Sequence, residues 1–178
     1  MSNVINDGKL VSVSRLTMNE MIMPNDTNPI GNLMGGYLMR WMDIACAICA
    51  ARHCGFQVVT ASVDHISFYE PIKLGDVITL TAQVTRAFNT SVEVYVEVSA
   101  ADLTGDNPRQ SNHAYFTFVA LDMETGKPTQ VPSVIPITTE EKKQYEAAVR
   151  RRELRLILAG KLKPENAKEL RHFFTDMN

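Results

Sequence analysis

GNLMGGYLMRWMDIACAICAARHC, residues 31–54, decides the fold. The glycine pair Gly35-Gly36 opens an almost unbroken apolar run, and Gly55 follows it where a left-handed cap residue ends a helix. The pattern predicts one long helix over about 35–53, buried on most of its sides. One acid, Asp43, interrupts it. At about 100° and 1.5 Å per residue, Asp43 falls within roughly 20° of Gly36 and about 10.5 Å further along the axis. Arg40, Asp43, Ala47 and Ala50 make a small or polar stripe, while Leu38, Trp41, Met42, Ile44 and Ile48 cover the other faces.

Upstream, PNDTNPIGN (24–32) is loop chemistry, and residues 10–23 begin with strand-like alternation of Val11, Val13 and Arg15 against Ser12 and Ser14. Downstream the texture is β, with strands expected over 58–71, 77–88, 92–101 and 113–122. Valines at 92, 94, 96 and 98 alternate there with Glu93, Tyr95 and Glu97, the pattern of a half-exposed strand. The order is strand, long helix, four strands with short connections. It implies an α+β fold in which an antiparallel sheet of five to six strands wraps a central helix. Gly126 and prolines 128, 132 and 136 then form an extended linker. A charged helix follows, capped by Thr138 or Thr139, with acids in its first turn and Arg150–Arg152 and Arg155 toward its end. Val149, Leu154, Ile157 and Leu158 would pack it on the body, and a short helix closes the chain. The expected division is a domain of 1–137 and a C-terminal helical extension of 138–178. There is no internal repeat.

With 178 residues, 45% hydrophobic and 21% charged, and a net charge of −2, nothing global points to nucleic acid or an anionic membrane. No apolar run approaches the roughly 20 residues that span a bilayer, and MSNVINDGKL lacks the features of a secretory signal. All three cysteines fall between Cys46 and Cys54 among alanines and isoleucines, which reads as small core residues rather than a metal or redox cluster. No metal site is expected, and the cytoplasm is the expected compartment.

A helix start offers unpaired N–H groups and partial positive charge, and glycines let a substrate approach them. Such a site can hold a carbonyl oxygen as it becomes negative, while a carboxylate on the same stripe activates water or attacks the carbonyl itself. Equally, Arg40 and Asp43, three apart, can form an ion pair, and the glycines can serve close packing on the sheet. Spacing alone does not choose between these readings.

The motifs are more specific. Pro24, Asp26, Asn28, Gly31, Gly35 and Gly36 form P-x-D-x-N-x-x-G-x-x-x-G-G; W-M-D, A-A-R-H-C, V-T-A-S-V-D-H-I-S-F and F-T-F-V-A-L-D follow in order. Over about residues 10–140 the chain resembles the hotdog-fold acyl-CoA thioesterases, and most of all the cytosolic (brain-type) acyl-CoA hydrolase group with its single-domain bacterial members. The resemblance implies a hydrolase that cleaves acyl-CoA to a free acid and CoA. No cofactor is required, CoA being part of the substrate. It makes Asp43 the catalytic carboxylate, Asn28 its helper from the partner protomer, and Gly35-Gly36 the helix start that polarises the thioester carbonyl. It further implies a homodimer with the site between chains, assembling into a trimer of dimers. The turn Asn89-Thr90-Ser91 is similar to one that family members place near the CoA chain, although turn conformation alone accounts for those residues too. Asp26 reads as a loop brace, His53 as structural, and Asp64, His65, His113 and His172 receive no catalytic role. Mammalian relatives divide the acid and the asparagine between two domains of one chain, whereas both stand in one domain here. The rival readings are an acyl-CoA sensor without catalysis and a hotdog hydratase, for which no histidine stands near the glycine pair.

Overall fold

The computed structural model describes residues 8–64, 66 and 68–175; His65 and the first seven residues lie outside them. By contacts the chain forms two compact units, 1–135 and 136–178.

The first unit is built on helix α2, Gly35–Cys54, and five strands: β2 (Leu16–Met21), β3 (Gln57–Val63), β4 (Val77–Ala87), β5 (Ser91–Ala101) and β6 (Arg109–Leu121). They form one antiparallel sheet in the order β2-β4-β5-β6-β3. Strict alternation sends Val92, Val94, Val96 and Val98 of β5, Ile78, Leu80, Ala82 and Val84 of β4, and Phe116 and Phe118 of β6 inward. There they meet the buried face of α2, made by Leu38, Trp41, Met42, Ala45, Cys46 and Cys49. A row of small and β-branched side chains lets the sheet curl closely around the helix. Gly55 stops α2 in the left-handed region at φ 74°, its N–H returning to the Ala51 carbonyl, as the sequence predicts. Lys9 Nζ also donates to the His53 carbonyl at 2.7 Å, supplying a cation to the helix end.

The structure corrects several expectations. Val11–Ser14 is a single helical turn (α1), not a strand, with Val11 and Ser14 buried and Val13 exposed. It follows a two-residue strand, β1 (Lys9–Leu10), that pairs in parallel with β7 (Val134–Ile135) inside the expected linker. β3 ends at Val63 instead of running to 71, and β6 starts four residues early. Glu93 is not on a wet face: it is fully buried, and its carboxylate accepts a 2.7 Å hydrogen bond from Thr85 Oγ1. Ala50 joins the buried face of α2, while Ile48 is exposed and Ile44 half-buried, so the open stripe of the helix is less polar than expected.

In the second unit, α3 (Thr139–Leu158) begins with a capping box. Thr138 Oγ1 accepts from the Glu141 N–H at 3.1 Å and Glu141 Oε2 accepts from the Thr138 N–H at 3.1 Å. Helix α4 (Lys168–Thr175) is tied to α3 by the Leu170 N–H donating to Glu153 Oε2, and the Arg150 guanidinium lies 4.7 Å above the Phe173 ring. Leu154 and Leu158, expected to pack inward, are exposed.

Candidate active site

The start of α2 is bare. Met34, at the N-cap, offers no capping side chain, and the first turn carries no acid. The orphan amides of Gly35 and Gly36 therefore keep their partial positive charge. A Cβ on Gly36 would meet nothing within 4 Å, so a ligand can come against that backbone. Gly35 is different: a Cβ there would lie 3.1 Å from the Phe68 ring.

The preceding loop is fastened to this tip. The Met34 N–H donates to the Asp26 carbonyl at 2.9 Å, and the Asn28 N–H to the Asn32 carbonyl at 2.8 Å. Asn28 Oδ1 accepts from the N–H groups of Ile30 and Asn32, both at 3.1 Å, which leaves its amide NH₂ to point at something else. Asp26 Oδ2 accepts from the Met23 N–H at 2.9 Å, the bracing role read from the sequence. Hydrogen bonds thus tie the loop that carries Asn28 to the start of the helix at Gly35-Gly36.

Asp43 forms a second group, two turns down the helix. It is half-buried, and its Oδ1 accepts a 2.7 Å hydrogen bond from Thr60 Oγ1. Oδ2 has no protein partner among the described residues and remains available to water. Arg40 makes no ion pair with Asp43 among the described residues, which removes the surface-pair reading of this spacing. Thr60 was not singled out in the sequence. It stands in β3 opposite Phe118, so its side chain takes the inward phase of the sheet, and a bulge at Ala61 lets the strand resume register at Ser62. β3 is an edge strand, and Thr60, Ala61 and Val63 are exposed along it.

The Asn89-Thr90-Ser91 turn is pinned by its own backbone, with the Thr90 carbonyl accepting from Ala120 N–H at 3.0 Å and the Asn89 carbonyl from Val131 N–H at 3.1 Å. Ser91 and Val59 face the same β6 residue, Val119, so the turn lies two strands, about 10 Å, from the Thr60 end of β3. His53 is fully buried at the far end of α2, where Nε2 donates to the Pro132 carbonyl at 3.0 Å and Nδ1 has no partner. Burial pushes its pKa below the usual histidine value, and Lys9 adds to this against the opposing effect of the Pro132 bond. All three cysteines are buried and free, with burial raising each thiol pKa. Among the described residues no acidic, histidine and cysteine group could hold a metal, and no helix is long and apolar enough to cross a membrane.

The family profile of the thioesterase superfamily matches residues 30–105. An acyl-CoA hydrolase from Staphylococcus aureus, solved with butyryl coenzyme A, coenzyme A and coenzyme A disulfide, is 41% identical with a TM-score of 0.78, over 85% of this chain and 94% of that one. That hydrolase has also been solved as its Asp43→Ala, Thr60→Ala and Asn28→Ala variants. A hexameric acyl-CoA thioesterase in its apo form is 37% identical with a TM-score of 0.82, over 86% of this chain and 97% of that one. The cytosolic acyl coenzyme A thioester hydrolase of Rattus norvegicus is 39% identical over 138 residues, 76% of this chain. The chain spans only 25–36% of the length of the first mammalian relatives it matches. With the wrapped helix, the glycine tip and near-full-length similarity to bacterial hydrolases, the chain belongs to the hotdog-fold acyl-CoA thioesterase family.

Proposed function

We propose that this protein hydrolyses acyl-CoA thioesters to a free carboxylic acid and CoA, at a site completed by two copies of the chain. The observation that carries the reading is the Asp43–Thr60 pair, a carboxylate oriented through one oxygen and open through the other, beside a free sheet edge. This chain also has the residue types Asn28, Asp43 and Thr60 at the numbers substituted in the Staphylococcus aureus hydrolase.

The tip and the acid of one helix are too far apart to serve one carbonyl. Helix N–H groups point out past the N-terminus, so an oxygen held by Gly36 lies about 2.9 Å beyond it. Asp43 lies about 10.5 Å in the opposite direction along the axis. The separation is about 13 Å, and the carboxylate reaches back only about 3 Å of it through its own bonds. From the carbonyl oxygen through carbon and attacking water to the base, the reaction spans less than about 8 Å even in a straight line. A second copy must therefore bring its tip to Asp43. Asn28 travels with the tip, so one chain supplies Asn28, Gly35 and Gly36 and the other supplies Asp43 and Thr60.

In the reaction, Asp43 Oδ2 takes a proton from water as the water oxygen attacks the thioester carbon. The carbonyl oxygen becomes anionic against the tip amides. On collapse the C–S bond breaks, and the proton passes from Asp43 to the departing CoA sulfur. Asn28 orients the water or the carbonyl through its amide. Asn89, Thr90 and Ser91 flank the CoA chain, no cofactor takes part, and the assembly is a homodimer or a trimer of dimers in the cytosol. Thiol release from butyryl-CoA tests the reading: Asp43→Ala should lower turnover by at least about 100-fold. Wild-type turnover in that variant would refute the assignment.

A further inference from the structure

We propose that the Arg109–Asp76 ion pair positions the Asn28 half of the active site, by fixing the turn on which the loop carrying Asn28 and the helix tip is seated. The inference rests on the thioesterase reading above, with Asn28 and Asp43 supplied by different copies. Arg109 and Asp76 act through other residues, so they are positioning residues and not catalytic ones. The loop, residues 23–34, enters and leaves through one turn. At its entry the Ile22 N–H donates to the Asp76 carbonyl at 2.8 Å, and the Gly75 N–H donates to the Ile22 carbonyl at 3.0 Å. At its exit the Leu33 N–H donates to the Ile72 carbonyl at 2.7 Å, and the Leu74 N–H donates to the Gly31 carbonyl at 3.0 Å. Residues 72–76 therefore hold both ends of the segment. Asn32 continues the connection, its N–H donating to Asn28 Oδ1 at 3.1 Å and its carbonyl accepting from the Asn28 N–H at 2.8 Å.

One carboxylate fixes the turn. Asp76 is 8% exposed, and its Oδ2 accepts from the Lys73 N–H at 2.7 Å and from Arg109 Nη2. Arg109 opens β6, with β5 between it and Asp76, and the Ala100 that stands opposite Arg109 is too small to bar the guanidinium. Arg109 Nε also lies 3.8 Å from Glu70 Oε2, so one guanidinium meets acids on both sides of the turn. Charge-assisted bonds of this kind are roughly twice as strong as neutral ones, and a carboxylate this buried needs its cationic partner. Without Arg109, Asp76 turns toward water and draws the Lys73–Asp76 turn with it. The loop then shifts on its seat, and the Asn28 amide and the Gly36 N–H move off the thioester. Misplacing such groups by 1 Å costs about 100-fold in rate.

The test is kcat for butyryl-CoA on the full chain, alone and in assemblies co-expressed under two tags and purified through both. Arg109→Met keeps the apolar stem and removes the guanidinium; alone it should lose at least about tenfold in kcat. Asp76→Asn keeps an oxygen for the Lys73 N–H and should lose a similar amount. The double variant should fall no more than about twofold below the worse single, since all three release the same turn. The defect belongs to the tip of the variant's own chain. Arg109→Met assembled with Asp43→Asn should therefore return to about half of wild type for a dimer and about a quarter for a hexamer. Assembled with Gly36→Leu, it should stay at or below the level of Arg109→Met alone. Size-exclusion chromatography verifies assembly, and Asp76→Asn serves in the same mixtures if Arg109→Met fails to assemble. A pair that only stabilised the fold would lower Tm and leave the kcat of assembled protein near wild type. That result, or rescue by Gly36→Leu, or rescue by neither partner, overturns the proposal while the hydrolase reading stands. If Gly36→Leu and Asp43→Asn fail to restore each other, or wild type releases no thiol, the reading beneath falls and the proposal with it.

Discussion

Two inactive chains should restore each other. Gly36→Leu fills the open space beside the tip amide with a strong helix former, so the chain folds while the approach of a thioester is blocked. Asp43→Asn keeps the Thr60 contact and removes the base. Each alone should lose at least about 100-fold in turnover. When the two are co-expressed under different tags and purified through both, every site draws its tip from one copy and its acid from another. Random assembly makes about one site in four intact, and selection through both tags raises this to about one in two for a dimer while leaving it near about one in four for a hexamer. Activity per site should therefore return to about half of wild type for a dimer and about a quarter for a hexamer. Asn28→Ala should rescue Asp43→Asn to the same level, and should fail to rescue Gly36→Leu because Asn28 is bonded into the tip of its own chain. Size-exclusion chromatography on each mixture verifies assembly. Assembled but inactive Gly36→Leu/Asp43→Asn mixtures would refute the division of the site between chains.

Three other outcomes follow from the geometry. Native protein should leave Cys46, Cys49 and Cys54 unmodified by a thiol reagent at pH 8, because burial raises Cys49 to about 11 and Cys54 to about 12; all three should react after denaturation. His53 is held below its usual value near 6.5, so the unfolded chain binds more protons than the native one once pH falls through that value. Thermal melts should therefore show native stability fully present above about pH 6.5 and declining below it, with the decline reduced in His53→Gln, which keeps a donor for the Pro132 carbonyl. Thr138→Ala should cost α3 about 1 kcal/mol, read as faster hydrogen exchange in its first turns.

The central helix and the strands around it could be read from the chain because their signals are local and long: paired glycines, twenty residues without a breaker, and four valines in strict alternation. Val11–Ser14 could not. Four residues of V-S-V-S fit a strand as well as a turn in which positions 11 and 14 share the buried face. Glu93 looked wet because alternation assigns a phase and says nothing about what covers each face; the buried Thr85 partner comes from the neighbouring strand. Thr60 was missed for a related reason. A threonine in a strand is ordinary, and only the curl of the sheet brings it to an acid seventeen residues away. Even then its aim depends on a one-residue bulge.

The edge of β3 has a cost of its own. Gln57–Val63, QVVTASV, contains no charge and no proline, the devices with which exposed edges normally discourage unwanted strand pairing. A copy with this edge uncovered presents an unpaired strand to any extended polypeptide in its surroundings. The bare edge therefore makes this face of the sheet an aggregation hazard wherever nothing covers it.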